Sequence, residues 1–218
     1  MEEVILKTPD QPCFIGAWYI PDIPVCDEIV RLFETDFFYK GEGLSGASLD
    51  TPGVVDKEVK DSIDAELKQN PDLAEKFTAN LAAVLQKYKE KFSQADLVET
   101  YVFDCLNIQK YPIKGGGYHS WHAERQGNNP RHLVWMTYLN DIEEGGETEF
   151  YYQKLKVKPR KGLTLIWPVD WTHTHRGLVA PNEEKMIITG WLSFLEKQPT
   201  LEEIDSLKKI EPAVALAG

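Results

Sequence analysis

The chain has 218 residues, 42% hydrophobic and 27% charged, enough to bury a sizeable core within one domain. Its 35 acidic and 24 basic residues give a formal charge of -11, which argues against a protein that holds nucleic acid by neutralising phosphates. That balance suits a neutral or basic peptide, or a small metabolite. No apolar run approaches the roughly 18 residues of a membrane span. The opening Met1-Glu2-Glu3-Val4 lacks a basic and then apolar leader, so the expectation is a cytoplasmic protein without membrane attachment. Cys13, Cys26 and Cys105 are odd in number and far apart, and read as buried free thiols in a reducing compartment.

In chain order, Cys13-Phe14-Ile15-Gly16-Ala17-Trp18 suits a buried strand. Pro21 and Pro24 precede a segment in which Ile29, Leu32 and Phe33 take helical spacing. Residues 40–57 carry four glycines and a proline and read as a long irregular loop. A helix is predicted over 57–69, from Val59, Ile63 and Leu67 at i, i+4 and i+8. A second starts at Pro71-Asp72 and runs to about Phe92, with Leu73, Phe77, Leu81, Val84, Leu85 and Tyr88 on one face. Its charged end, Lys87-Tyr88-Lys89-Glu90-Lys91, reads as solvated surface.

From Tyr101 the pattern changes to short strands, at 101–111, 118–124, 132–139, 148–158, 163–167, 173–179 and 185–194. Glycine, asparagine and proline clusters separate them. Closely spaced strands without intervening helices point to a sandwich or jelly roll. Thr200 to Ile210 reads as a last helix, with Thr200 and Glu203 forming a capping box. The architecture expected is α+β: a double-stranded β-helix (jelly roll) over 96–195. Mainly helical support with one strand would occupy 1–95, and a C-terminal helix and tail 196–218, all in a single domain.

All five histidines fall between Tyr111 and Trp191. His122 and Glu124 are two apart, so on a strand both side chains emerge from one face and can share an ion. His173 and His175 share parity downstream, and either suits a third ligand. Two imidazoles and one carboxylate make the facial triad of non-haem Fe(II) oxygenases, which leaves open positions for co-substrate and O2. On the strand from 185, Lys185, Ile187, Thr189 and Trp191 point one way, and Met186, Ile188, Gly190 and Leu192 the other. A buried lysine is costly without an anion, and a carboxylate-bearing ligand would offset that cost.

The ordered set Tyr111-Pro112, Gly117-Tyr118, His122-x-Glu124, Arg131, Tyr138-Leu139-Asn140, Gly145-Gly146-Glu147-Thr148-x-Phe150, Pro159-x-x-Gly162, His175-Arg176-Gly177-Leu178-Val179, Lys185 and Trp191 resembles the prolyl 4-hydroxylase branch of the Fe(II)/2-oxoglutarate dioxygenases. The resemblance implies that His122, Glu124 and His175 hold Fe(II), with His175 rather than His173 as the distal ligand. It implies 2-oxoglutarate as co-substrate, its distal carboxylate on Lys185 with hydrogen bonds from Tyr111, Tyr138 or Thr189, and Trp191 as a wall near the iron. It implies oxidative decarboxylation to succinate and CO2 with O2, hydroxylation of a prolyl residue in a peptide or protein, and ascorbate as accompanying reductant. Arg131 receives no role. The family usually has Asp where this chain has Glu124, whose extra methylene displaces the carboxylate by about 1.5 Å. Two other readings stay open: a same-fold dioxygenase acting on a free amino acid or small molecule, and a non-catalytic jelly-roll metal-binding module.

Overall fold

Alternation of buried and solvent-facing positions divides the second half of the chain into strands, and a 3.6-residue apolar stripe forms the long helix beside them. The structure, a computed structural model, describes residues 1–4, 13–35, 39–46, 52–96, 101–125 and 129–194. In order they form β1 (Gly16–Tyr19), α1 (Pro24–Glu34), β2 (Gly41–Glu42), β3 (Lys60–Asp61), β4 (Ile63–Glu66), α2 (Pro71–Lys91), β5 (Tyr101–Phe103), β6 (Asn107–Tyr111), β7 (Gly117–His122), β8 (Arg131–Tyr138), β9 (Thr148–Phe150), β10 (Leu155–Val157), β11 (Leu163–Pro168), β12 (His175–Gly177) and β13 (Lys185–Phe194). The helix expected over Thr200 to Ile210 lies outside the described residues.

Two antiparallel sheets face each other as a double-stranded β-helix. The larger has the order β1-β11-β8-β13-β6-β4-β2, with β5 also on β13; the smaller is β10-β9-β12-β7-β3. Strand parity sorts two cores. Leu133 and Trp135 of β8 and Met186, Ile188 and Leu192 of β13 turn outward onto Phe77, Leu81, Val84 and Tyr88 of α2. Val134, Met136, Tyr138 and Ile187 turn inward and pack with Phe150, Leu155, Val157, Leu165 and Trp167 between the sheets. Helix α2 thus buttresses the larger sheet from behind and leaves its front for chemistry. The Asn70 side chain caps α2 by accepting from the Leu73 N–H at 3.1 Å, with Pro71 at the first helical position. No helix among the described residues is long and apolar enough to cross a membrane.

The helix expected over 57–69 does not form. Lys60–Asp61 pairs with β7 in the smaller sheet, Ile63–Glu66 pairs with β6 in the larger, and only a single 3-10 turn, Leu67–Gln69, is helical. The apolar trio that suggested a stripe does not share a face, since Ile63 is exposed while Leu67 is fully buried. Burial instead alternates, first at Lys60 and Ser62 and then at Ala65 and Leu67, and its parity breaks where the chain leaves one sheet for the other. Ladder hydrogen bonds on both sides outweigh a marginal local helix, which a segment this short cannot sustain alone. The expected loop is also more ordered at its base: β2 pairs with β4, and Ser45 bridges Val54. Residues 1–95 therefore contribute four strands as well as helices, and both sheets begin before residue 96.

Candidate active site

Strands β7 and β12 run antiparallel with His122 directly opposite His175, so pairing register alone sets the two imidazoles side by side, ring centroids 4.3 Å apart. Tyr118 stacks on His122 at 3.7 Å, and Trp167 and Phe150 close around His175. Glu124 comes two residues after β7 ends. Its backbone N–H donates to the Val169 carbonyl at 3.0 Å, and its own carbonyl accepts from the Asn129 amide at 2.9 Å. This turn aims the carboxylate back at the histidines: Glu124 Oε1 lies 3.4 Å from His122 Nε2 and 3.6 Å from His175 Nε2. Ligands about 2.0–2.2 Å from a shared ion sit roughly 3–3.5 Å from one another, so the spacing fits one metal. His122, Glu124 and His175 form the one such group found among the described residues, their ligand atoms all within 4.8 Å.

The hydrogen bonds behind the ligands fix their chemistry. His122 Nδ1 donates to the Ser120 carbonyl at 3.0 Å, and His175 Nδ1 to the His173 carbonyl at 2.9 Å. A carbonyl only accepts, so each Nδ1 carries hydrogen and each Nε2 turns its lone pair toward Glu124. Burial, and then His122, push the His175 pKa down to about 3. Burial would raise the Glu124 carboxyl, but His122, His175 and Arg131 outweigh it and hold the pKa at about 2. Both groups are therefore in their metal-binding protonation state at neutral pH. Two imidazoles and one carboxylate fit non-haem iron.

The triad stands at one end of a cavity of about 420 Å³ between the sheets. Lys185, at the start of β13, is only 3% exposed. Its Nζ donates to the Gly146 carbonyl at 3.2 Å and the Leu178 carbonyl at 3.4 Å, and sits 4.7 Å from the centre of the Tyr111 ring. Gly145 and Gly146, at φ +71° and +73°, make the left-handed turn that presents the first carbonyl. No carboxylate among the described residues pairs with this ammonium, and burial lowers its pKa to about 8 against the raising effect of Glu147. A lone buried cation facing a cavity fits a ligand carboxylate.

The other expected residues divide. Tyr111, Thr189 and Trp191 line the cavity with Lys185, but the Thr189 hydroxyl is committed to the Trp135 carbonyl at 2.8 Å. Tyr138 does not line it: its hydroxyl donates to the Val157 carbonyl at 3.0 Å and lies 2.7 Å from Thr148 Oγ1. Thr148 is the group that reaches the cavity. His173 is turned away, its Nε2 donating to the Cys13 carbonyl at 2.9 Å. Sequence reasoning missed Gln109, whose Oε1 accepts from the Tyr111 hydroxyl at 2.6 Å, and Trp167, which packs on His175. Gln109 was readable by parity with Tyr111 on β6. Arg131, left without a role, lies over the Trp191 ring at 3.4 Å with Nη1 3.6 Å from Glu124 Oε2.

A double-stranded β-helix carrying a two-histidine, one-carboxylate centre is the architecture of a non-haem oxygenase, and residues 106–193 match the family model of the 2OG-Fe(II) oxygenase superfamily. Over that stretch the chain is similar to the 2OG-Fe(II) oxygenases. It is similar to prolyl 4-hydroxylases in sequence: it is 25% identical over 138 residues to prolyl 4-hydroxylase 13 of Arabidopsis thaliana, across 51% of this chain and 50% of that protein. Against probable prolyl 4-hydroxylase 9 of the same plant it is 27% identical over 132 residues, across 48% and 46%. The chain thus spans about half the length of the curated relatives it matches. In fold it is similar to a prolyl-4-hydroxylase from Pseudomonas putida, with a TM-score of 0.61 and 15% identity over 83% of this chain and 92% of that one. It is likewise similar to a viral collagen prolyl hydroxylase from Paramecium bursaria Chlorella virus-1, with a TM-score of 0.57 and 17% identity over 84% and 97%. The family implies Fe(II), 2-oxoglutarate and O2.

Proposed function

We propose that this chain is an Fe(II)- and 2-oxoglutarate-dependent hydroxylase of prolyl residues in a peptide or protein, a single dioxygenase domain working in the cytoplasm with ascorbate as reductant. The observation that carries the reading is the pairing of the His122–Glu124–His175 cluster with a lone buried ammonium, Lys185, across one cavity. His122, Glu124 and His175 would hold the iron. When bound, iron and 2-oxoglutarate supply the oxidising chemistry, in which O2 converts the co-substrate to succinate and CO2 and a C–H bond gains hydroxyl.

The chain's own residues bind, orient and exclude water. Lys185 neutralises the distal carboxylate of 2-oxoglutarate, and the Thr148 hydroxyl, oriented by Tyr138, adds a hydrogen bond. Tyr111 flanks the same anion. Ile187, Met136 and Val134 give its chain an apolar channel that keeps bulk water from the centre. Trp191 and Arg131 wall the side from which a substrate ring approaches. The relatives named above as prolyl hydroxylases support the choice of a prolyl residue.

The test is an anaerobic titration with Fe(II) and 2-oxoglutarate that follows the weak visible charge-transfer band of the chelate. Succinate release is then measured over a panel of proline-containing peptides, with and without ascorbate. A band and peptide-stimulated succinate support the reading. Bound iron with no band refutes the co-substrate assignment, and succinate stimulated only by free amino acids or small molecules refutes the peptide.

A further inference from the structure

The inference rests on the metal centre just described and concerns how this chain accommodates glutamate in it. Glu124 has one more rotatable bond than aspartate, and so more conformations in which its carboxylate misses the two imidazoles. The two carboxylate oxygens are not equivalent. Oε1 faces both imidazoles, 3.4 Å from His122 Nε2 and 3.6 Å from His175 Nε2. Oε2 is turned the other way and accepts a hydrogen bond from the Trp191 indole N–H at 3.1 Å. The Arg131 guanidinium lies on that same indole at 3.4 Å from its centre, with Nη1 3.6 Å from Oε2 and 3.5 Å from the Glu124 backbone carbonyl.

We propose that Trp191, backed by Arg131, is a positioning residue that tethers the second oxygen of Glu124, so that the longer side chain offers one oxygen to the metal. The indole N–H removes conformers that point away, which pre-organises the ligand before the ion arrives. It also keeps Oε2 off the metal, so that coordination positions stay open. The guanidinium carbon sits 3.4 Å from the centre of the indole, and that contact restrains the ring and with it the N–H direction. An aspartate would lose this tether: with the carboxylate about 1.5 Å further back, the separation of 3.1 Å would grow by up to that amount, to at most roughly 4.6 Å, and a hydrogen bond weakens beyond about 3.2 Å.

A double-mutant cycle on the full chain tests this, with Co(II) as probe: wild type, Trp191→Phe, Glu124→Asp and the double variant, each titrated by Co(II) absorption, with the metal-free melting temperature as folding control. Trp191→Phe should weaken Co(II) binding about tenfold in the Glu124 background and less than about twofold in the Asp background. Its Co(II) bands should lose intensity as Oε2 joins the ion and coordination number rises. Equal loss in both backgrounds, or none in either, overturns the tether. Absence of Co(II) binding by the wild type overturns the metal centre itself, which is a separate failure. Should Trp191→Phe not fold, the link is read in Glu124→Asp by indole ¹⁵N–¹H resonances. One indole N–H should move upfield and exchange faster with solvent, and unchanged indole resonances refute the proposal.

Discussion

Replacing Lys185 with Met should stabilise the metal-free protein while crippling its grip on 2-oxoglutarate. The ammonium is 3% exposed and meets only two carbonyls and a ring face, so burial brings its pKa from 10.5 to about 8. Between those values the unfolded chain holds a proton that the folded chain has released, so folding gains as pH rises through the window. The penalty is complete below about pH 8 and absent above 10.5. The difference of roughly 2.5 units corresponds to on the order of 3 kcal/mol. Met has similar length and no charge to desolvate, so Lys185→Met should gain up to that amount in urea unfolding at pH 7, with the advantage closing toward pH 10. Calorimetric titration should show 2-oxoglutarate binding weakened roughly a hundredfold or more, the expected consequence of deleting one partner of a buried ion pair. Wild-type affinity should fall as pH passes well above 8, while the residual affinity of the variant stays flat. A variant that is less stable at pH 7, or one that binds 2-oxoglutarate as well as wild type, would refute the reasoning.

The two downstream histidines should separate cleanly. His175→Ala should abolish stoichiometric Co(II) binding, whereas His173→Ala should keep the metal and lose about 1–2 kcal/mol of stability with its bond to the Cys13 carbonyl, read by equilibrium dialysis and urea melts. Thr148→Val should weaken 2-oxoglutarate several-fold more than Tyr138→Phe in the same titration. Tyr138 acts through Thr148, and its loss should appear mainly as about 1–2 kcal/mol of stability. Gly190→Ala should destabilise by about 3 kcal/mol, since its Cβ would meet the Cys105 carbonyl at 2.1 Å and the Trp135 ring at 2.7 Å. An unchanged melting temperature for Gly190→Ala would contradict that close approach.

Strand β13 and helix α2 were legible because burial imposes a period that the residues display directly. Period 2 set Lys185, Ile187, Thr189 and Trp191 on one side of β13, and these line the cavity. Period 3.6 set Leu73, Phe77, Leu81, Val84 and Tyr88 on the stripe that α2 buries. The segment 57–69 was illegible for the converse reason. Lys60 and Asp64 turn inward because they line a polar wall of the cavity, where their pair is closed at 2.6 Å and the buried Ser62 hydroxyl donates to Asp64 at 2.7 Å. An inward polar face looks like solvent to any pattern of hydrophobicity.

The sequence by itself determined which side chains the candidate site draws on: two histidines and a carboxylate in their order, and the one face of β13. These follow from side-chain identity and local periodicity, which neighbours in the chain fix. The tertiary structure decided what depends on partners distant in sequence. It set His122 against His175 through the β7–β12 register, and turned His173 aside to Cys13. It gave Thr148 rather than Tyr138 the place in the cavity, and brought the indole of Trp191 to the far oxygen of Glu124. A hydrogen bond spans about 3 Å wherever the chain has come from, and only the packed sheets say which groups come that close.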